Sequence, residues 1–97
     1  MTSWTNEAGI TLVPPLPDIS QLLIDAITCH NSGQSVAAER LYQTILSAVP
    51  DNALANYGFG LLRASQNRHL EAIGSYRRAL AARPDFVDAY INLGTTH

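Results

Sequence analysis

Apolar and small side chains recur at helical spacing in successive blocks along this chain. Leu22, Leu23, Ala26 and Ile27 follow at i, i+3/i+4 steps, which predicts a first amphipathic helix. Asp18 precedes Ile19-Ser20-Gln21, so it is placed to cap that helix, with Gln21 reaching back three residues later. Gly33 is the predicted C-terminal stop. Ser35 is the expected cap of a second helix carrying the stripe Ala38, Leu41, Tyr42, Ile45 and Leu46, which Pro50 ends. The cycle then restarts. Asp51 or Asn52 caps a third helix with Tyr57, Gly60, Leu61 and Ala64, and a turn is expected around Gln66–Asn67. A fourth helix carries Leu70, Ala72, Ile73, Tyr76, Ala79 and Leu80 and stops at Pro84. Asp85 is the expected cap of a fifth, with Ala89, Tyr90 and Leu93. The expected fold class is therefore all-α.

The blocks are copies of one another. At a separation of 34 residues, Ala38 matches Ala72, Tyr42 matches Tyr76, Leu46 matches Leu80, Pro50 matches Pro84, Asp51 matches Asp85, Ala55 matches Ala89 and Gly60 matches Gly94. Ala26 falls one period before Gly60, so a small residue holds that place three times. Small residues there let two antiparallel helices approach to about 8–10 Å. Ala26 is expected opposite Ala38, and Gly60 opposite Ala72, with Tyr42 and Tyr76 filling the wedge toward the next helix. Each unit then contacts mainly its neighbours, and stability is roughly additive along the array.

On these residues the chain resembles the tetratricopeptide (TPR) repeat family, a 34-residue helix–turn–helix unit with small residues at its eighth and twentieth places, an aromatic at the twenty-fourth and Pro at the thirty-second. Repeat one runs 19–52, with Ala26, Gly33, Ala38, Tyr42 and Pro50 on the motif. Repeat two runs 53–86, with Gly60, Ala72, Tyr76, Ala79 and Pro84, and a partial third occupies 87–97. Asp25 at the seventh place and Ile45 at the twenty-seventh depart from the pattern and are expected to weaken repeat one modestly. The resemblance implies a short right-handed α-solenoid of two full repeats plus the first helix of a third.

The family also implies which surface works. First helices line a concave face, and their second, fifth, ninth, twelfth and thirteenth places point there. Those are Ser20, Leu23, Ile27, His30 and Asn31, then Leu54, Tyr57, Leu61, Ala64 and Ser65, then Asp88, Ile91 and Thr95. The expected peptide-binding groove is therefore Leu23, Ile27, His30, Leu54, Tyr57, Leu61 and Ile91, suited to an apolar or amphipathic segment rather than an ionic one. The competing reading is that Leu23, Leu54 and Leu61 pack between adjacent first helices. Some relatives clamp a carboxylate with Lys and Arg; this chain has no Lys, and no Arg stands at a groove place. Sugar-transferase relatives use Asn at the sixth place of successive repeats; only Asn92 is there, with Ile24 and Gly58 at its equivalents.

No second-helix partner for Val87–His97 follows in this sequence, so Tyr90 and Leu93 are expected to stay uncovered and to mediate self-association. A dimer formed by exchanging the last helix between protomers is the anticipated form. A frayed terminal helix on a monomer is the alternative. The chain reads as a fragment of a longer repeat protein. One reading is a protein–protein interaction scaffold; the other is the N-terminal, substrate-recruiting or dimerising part of a larger bacterial glycosyltransferase or sulfotransferase. The segment 1–17, with Trp4, ITLV and Pro14, Pro15 and Pro17, reads as a flexible leader or as a strand of chain lying in an apolar groove, and 18–97 as the repeat domain.

Composition agrees with a binding module. Hydrophobic residues make up 46% and charged residues 14%, too apolar for a disordered segment. The net charge of −2 offers no basic stripe for nucleic acid, and no run is long enough for a signal peptide or membrane helix. A cytoplasmic location is the default. Cys29 is the single cysteine, and His30, His69 and His97 lie apart with no metal-ligand spacing. No catalytic constellation, cofactor loop or metal site is expected. Asp25, Glu39, Glu71, Asp85 and Asp88 read as caps and solvated charges.

Overall fold

The computed structural model describes residues 7–8 and 18–96. The expectations for the leader 1–17 therefore lie outside the described residues, apart from a turn at Glu7–Ala8. The described residues form helices α1 (Ile19–Asn31), α2 (Ser35–Ala48), α3 (Ala53–Ser65), α4 (His69–Ala82) and α5 (Val87–Thr96), with no strand among them. Helices α1, α3 and α5 begin 34 residues apart, as do α2 and α4.

The local stops and starts have identifiable causes. Asp18 accepts a hydrogen bond from the Ser20 N–H at 3.0 Å and caps α1. Gln21 does not reach back; its amide donates instead to Asp25 at 2.9 Å, one turn along the exposed face. Both hairpin turns close in the same way. At the end of α1 the Gln34 N–H donates to the Cys29 carbonyl and the Gly33 N–H to the His30 carbonyl, with Gly33 at φ +79°. One period later Arg68 donates to Arg63 and Asn67 to Ala64, with Asn67 at φ +60°. These are paired Schellman closures, in which Asn takes the left-handed place that Gly takes first.

Ser35 is the first residue of α2 rather than its cap. The cap position is Gln34, whose N–H already closes the α1 turn on the Cys29 carbonyl and whose side chain makes no capping bond. Asn52 rather than Asp51 caps α3, accepting from the Ala55 N–H at 2.9 Å. Asn56, buried to 2% exposure, donates to the carbonyls of Pro50 and Asn52 and so ties down the turn between repeats. Asp85 stands one residue too early to cap α5, whose first turn closes on the Phe86 carbonyl. Its carboxylate lies 3.9 Å from Arg83.

Within each repeat the two helices pack as a hairpin, α1 on α2 and α3 on α4; α2 then packs on α3 and α4 on α5, with a lighter contact from α1 to α3. Ala26, Ala38, Tyr42, Ile45, Ala55 and Leu62 form one buried cluster across the first three helices. Ile45 is wholly buried there. The larger side chain is accommodated in the core, while Asp25 remains at the surface with Gln21. Ala72, Tyr76, Ala79 and Ala89 continue the core toward α5. Charge contributes at the α2–α3 joint, where the Arg63 guanidinium lies 2.9 Å from the Glu39 carboxylate and 4.4 Å over the Phe59 ring. Phe59 in turn stacks on Tyr42 at 6.1 Å. Glu39 is thus an inter-repeat partner and not a solvated charge.

Candidate functional site

The first helices lie side by side, and the shallow trough between α1 and α3 holds a cavity of about 370 Å³. Five of the expected groove residues meet around it: Ile27 and His30 from α1, and Leu54, Tyr57 and Leu61 from α3. Asn31 and Ser65 close its far end. Ile27 and Leu54 are about half exposed, at 48% and 49%. Their apolar surface is thus not used up by packing between the helices. Leu23 is half-buried against the core cluster and Ile91 is exposed on α5; neither lines this cavity.

Tyr57 has a double position. One side faces the trough, while its ring packs 4.8 Å from Phe86 and 6.0 Å from Tyr76. Its hydroxyl accepts a hydrogen bond from the Asn92 amide at 2.9 Å, which joins α3 to α5. Asn92 also donates to the Asp88 carbonyl at 2.8 Å, so it is a bridging residue and not merely a solvated one. Burial pushes the Tyr57 phenol above its ordinary range, and the nearby Asp88 carboxylate pushes it the same way. It stays neutral near pH 7.

The floor of the cavity is made by residues that pattern reasoning did not select, Tyr42 and Gly58. Tyr42 is 1% exposed. A Cβ at position 58 would stand 2.5 Å from its hydroxyl oxygen, so only glycine lets α3 pass over it. The signal in the sequence was the glycine at 58 where Asn92 stands one period later.

On α5 the face carrying Tyr90, Leu93 and Gly94 is the repeat equivalent of the α3 face carrying Asn56, Phe59 and Gly60. In α3 those positions are covered: Asn56, at 2% exposure, is bonded to the turn before α3, Phe59 stacks on Tyr42 of α2, and Gly60 lies against the Tyr76 ring of α4. In α5 Tyr90 is 54% exposed, Leu93 is half-buried and Gly94 meets no neighbour.

No group of His, Cys, Asp and Glu able to hold a metal occurs among the described residues. Nor is any described helix long and apolar enough to cross a membrane. Cys29 is a free thiol at the edge of the core.

This architecture is that of a helical-hairpin repeat protein, a short solenoid whose first helices lie side by side. Residues 60–97 match the family model described as TPR repeat, which supports the tetratricopeptide assignment. The same 34-residue phase carries the pattern back to Ile19. No curated protein matches the chain. Repeats of this family commonly mediate contacts between proteins and are generally scaffolds rather than catalysts.

Proposed function

We propose that this protein is an interaction module that holds an apolar peptide segment in the trough between α1 and α3. The observation that carries this reading is the aliphatic rim around a preformed cavity, with Ile27 and Leu54 about half exposed and Leu61 partly buried between the helices. At about 370 Å³ the cavity is at the small end of ligand sites, which run roughly 300–1,000 Å³. A whole helix, about 10–12 Å across, does not enter it. One or two aliphatic side chains of an extended segment do. The lining carries no Lys, Arg, Asp or Glu, so recognition rests on apolar burial and a few hydrogen bonds.

Peptides selected from a random displayed library against the full chain test this reading. Leu54→Asp places a charge on the rim without touching the buried core. It is expected to weaken the selected peptides by at least about tenfold, a loss of about 1.4 kcal/mol. Peptides indifferent to Leu54→Asp, and protected instead by the exposed Arg77 and Arg78 on α4, would place binding on the opposite face.

A second reading, self-association through α5, is supported by the contrast between exposed Tyr90 and buried Asn56 at equivalent places. It predicts sedimentation that shifts with concentration, and a return to the monomer in Tyr90→Lys. A concentration-independent monomer for the parent chain would end it.

A further inference from the structure

We propose that the groove continues past Leu54 onto α5 and selects an extended peptide segment that carries an aliphatic side chain and, three residues away, a Lys or Arg paired with Asp88. The proposal rests on the reading of the trough as a peptide site and names the charge of what enters it.

Three observations carry it. First, Leu54 lines two cavities: the trough between α1 and α3, and a second of about 390 Å³ where α3 meets the start of α5. Leu54, Phe86 and Val87 supply the apolar lining of the second cavity, and Val87 is 64% exposed. The wall between the two is the Tyr57 ring on one side and the Phe86 ring on the other, 4.8 Å apart. Second, the two cavities differ in charge. The trough is lined without Lys, Arg, Asp or Glu, whereas Arg83, Asp85 and Asp88 border the second cavity. Arg83 is already engaged, 3.9 Å from Asp85 and 5.3 Å from the centre of the Phe86 ring. Among the described residues Asp88 is in no ion pair. One carboxylate is thus left over at the end of an apolar groove. Third, that charge is felt at the trough wall: burial, and after it the Asp88 carboxylate, push the Tyr57 phenol above its ordinary range.

The spacing follows from geometry. Packed helices stand about 8–10 Å apart. A polyproline-type segment rises about 3.1 Å per residue with three residues per turn, so side chains i and i+3 share one face about 9 Å apart. Such a segment crosses from the trough to α5 in one turn. An Asp or Glu at its second contact meets like charge, and a Lys or Arg meets its complement.

The test titrates capped peptides into the full chain and follows leucine and valine methyl signals by NMR. One pair carries Leu-Pro-Pro-Arg and Leu-Pro-Pro-Glu, and a second pair carries the reversed orders to cover both chain directions. The better Arg peptide is expected to give saturable shifts at Leu54 and Val87 and to bind about fivefold tighter than its Glu counterpart, the worth of an exposed ion pair. That preference should shrink in high salt. Asp88→Asn is expected to erase it and Asp88→Arg to reverse it. Asp88 also stands in the first turn of α5, where a carboxylate favours the helix N-terminus. Losing that role loosens α5 in both variants but cannot reverse a choice between two peptides. Equal, Leu54-dependent binding of the Arg and Glu peptides would overturn the charge selection and leave the trough as the peptide site. No saturable shift with any of the four would also overturn it, and library-selected peptides sensitive to Leu54→Asp would then show that the trough reading stands without it.

Discussion

Tyr76→Ala is expected to destabilise the fold by about 3–5 kcal/mol, the usual range for truncating a large buried aromatic. Tyr76, on α4, is 1% exposed and faces two other helices, α3 and α5. Its ring lies against Gly60 and 6.0 Å from Tyr57 on α3, and its hydroxyl is beside Thr96 on α5. A domain of this size has a total stability of about 5–15 kcal/mol, so the loss is a large fraction of the whole. It should also be uneven. Among the described residues α5 packs chiefly on α4, so its ten residues should fray before the rest. Urea unfolding followed by circular dichroism, with hydrogen exchange at α5, measures both effects. A destabilisation below about 1 kcal/mol, or exchange lost equally in α1 and α5, would contradict the role assigned to this ring.

The second large effect distinguishes two glycines within one hairpin. Gly60→Ala adds a Cβ that would stand 2.5 Å from Cε1 and 2.7 Å from Cδ1 of the Tyr76 ring. That ring is enclosed and cannot swing away, so α3 and α4 must separate. Overpacking of this kind costs about 1–3 kcal/mol. Alanine returns up to about 1 kcal/mol of helix propensity, which leaves a net loss of about 1–2 kcal/mol. Gly74→Ala is the matched opposite. Nothing lies within 4 Å of a Cβ there, so the propensity gain stands alone and stability should rise by about 0.5–1 kcal/mol. For a chain of this length, one kcal/mol moves the melting temperature by roughly 4–8 °C, so the two variants should fall on either side of the parent. Two shifts of the same sign would show that close approach at Gly60 is not what the repeat requires.

These effects bear on binding because the cavity lies between repeats. Its α1 wall and its α3 wall are joined through the α2–α3 contact, where Arg63, Phe59, Tyr42 and Glu39 meet. Tyr42 thus belongs both to the joint that sets the spacing of the walls and to the floor between them.

Much of the architecture could be read without coordinates. The helical segments, their 34-residue recurrence and the small residues at the helix crossings follow from periodicity, because each depends on neighbours three or four places away or on the repeat of one motif. The rim of the trough could be named for the same reason: Ile27, Leu54 and Leu61 are phase positions on first helices. Caps were less legible. Ser35 and Asp85 carry capping side chains, but a one-residue difference in where the chain turns put Gln34 and Phe86 in those places instead.

The long-range pairings were decided by tertiary structure alone. Glu39 finds Arg63, and Asn92 finds Tyr57 across 35 residues, because stacking brings unlike positions of successive units together, and no periodic pattern encodes which side chain will be opposite. The two buried tyrosines are the sharpest case. Tyr42 and Tyr76 are indistinguishable in the repeat, and only packing sets Tyr42 against Phe59 and Gly58 at the edge of the cavity and Tyr76 between Gly60 and Tyr57. Local periodicity determines where helices run; the free energy of a buried polar atom depends on every neighbour within hydrogen-bond reach, and those neighbours are chosen by packing.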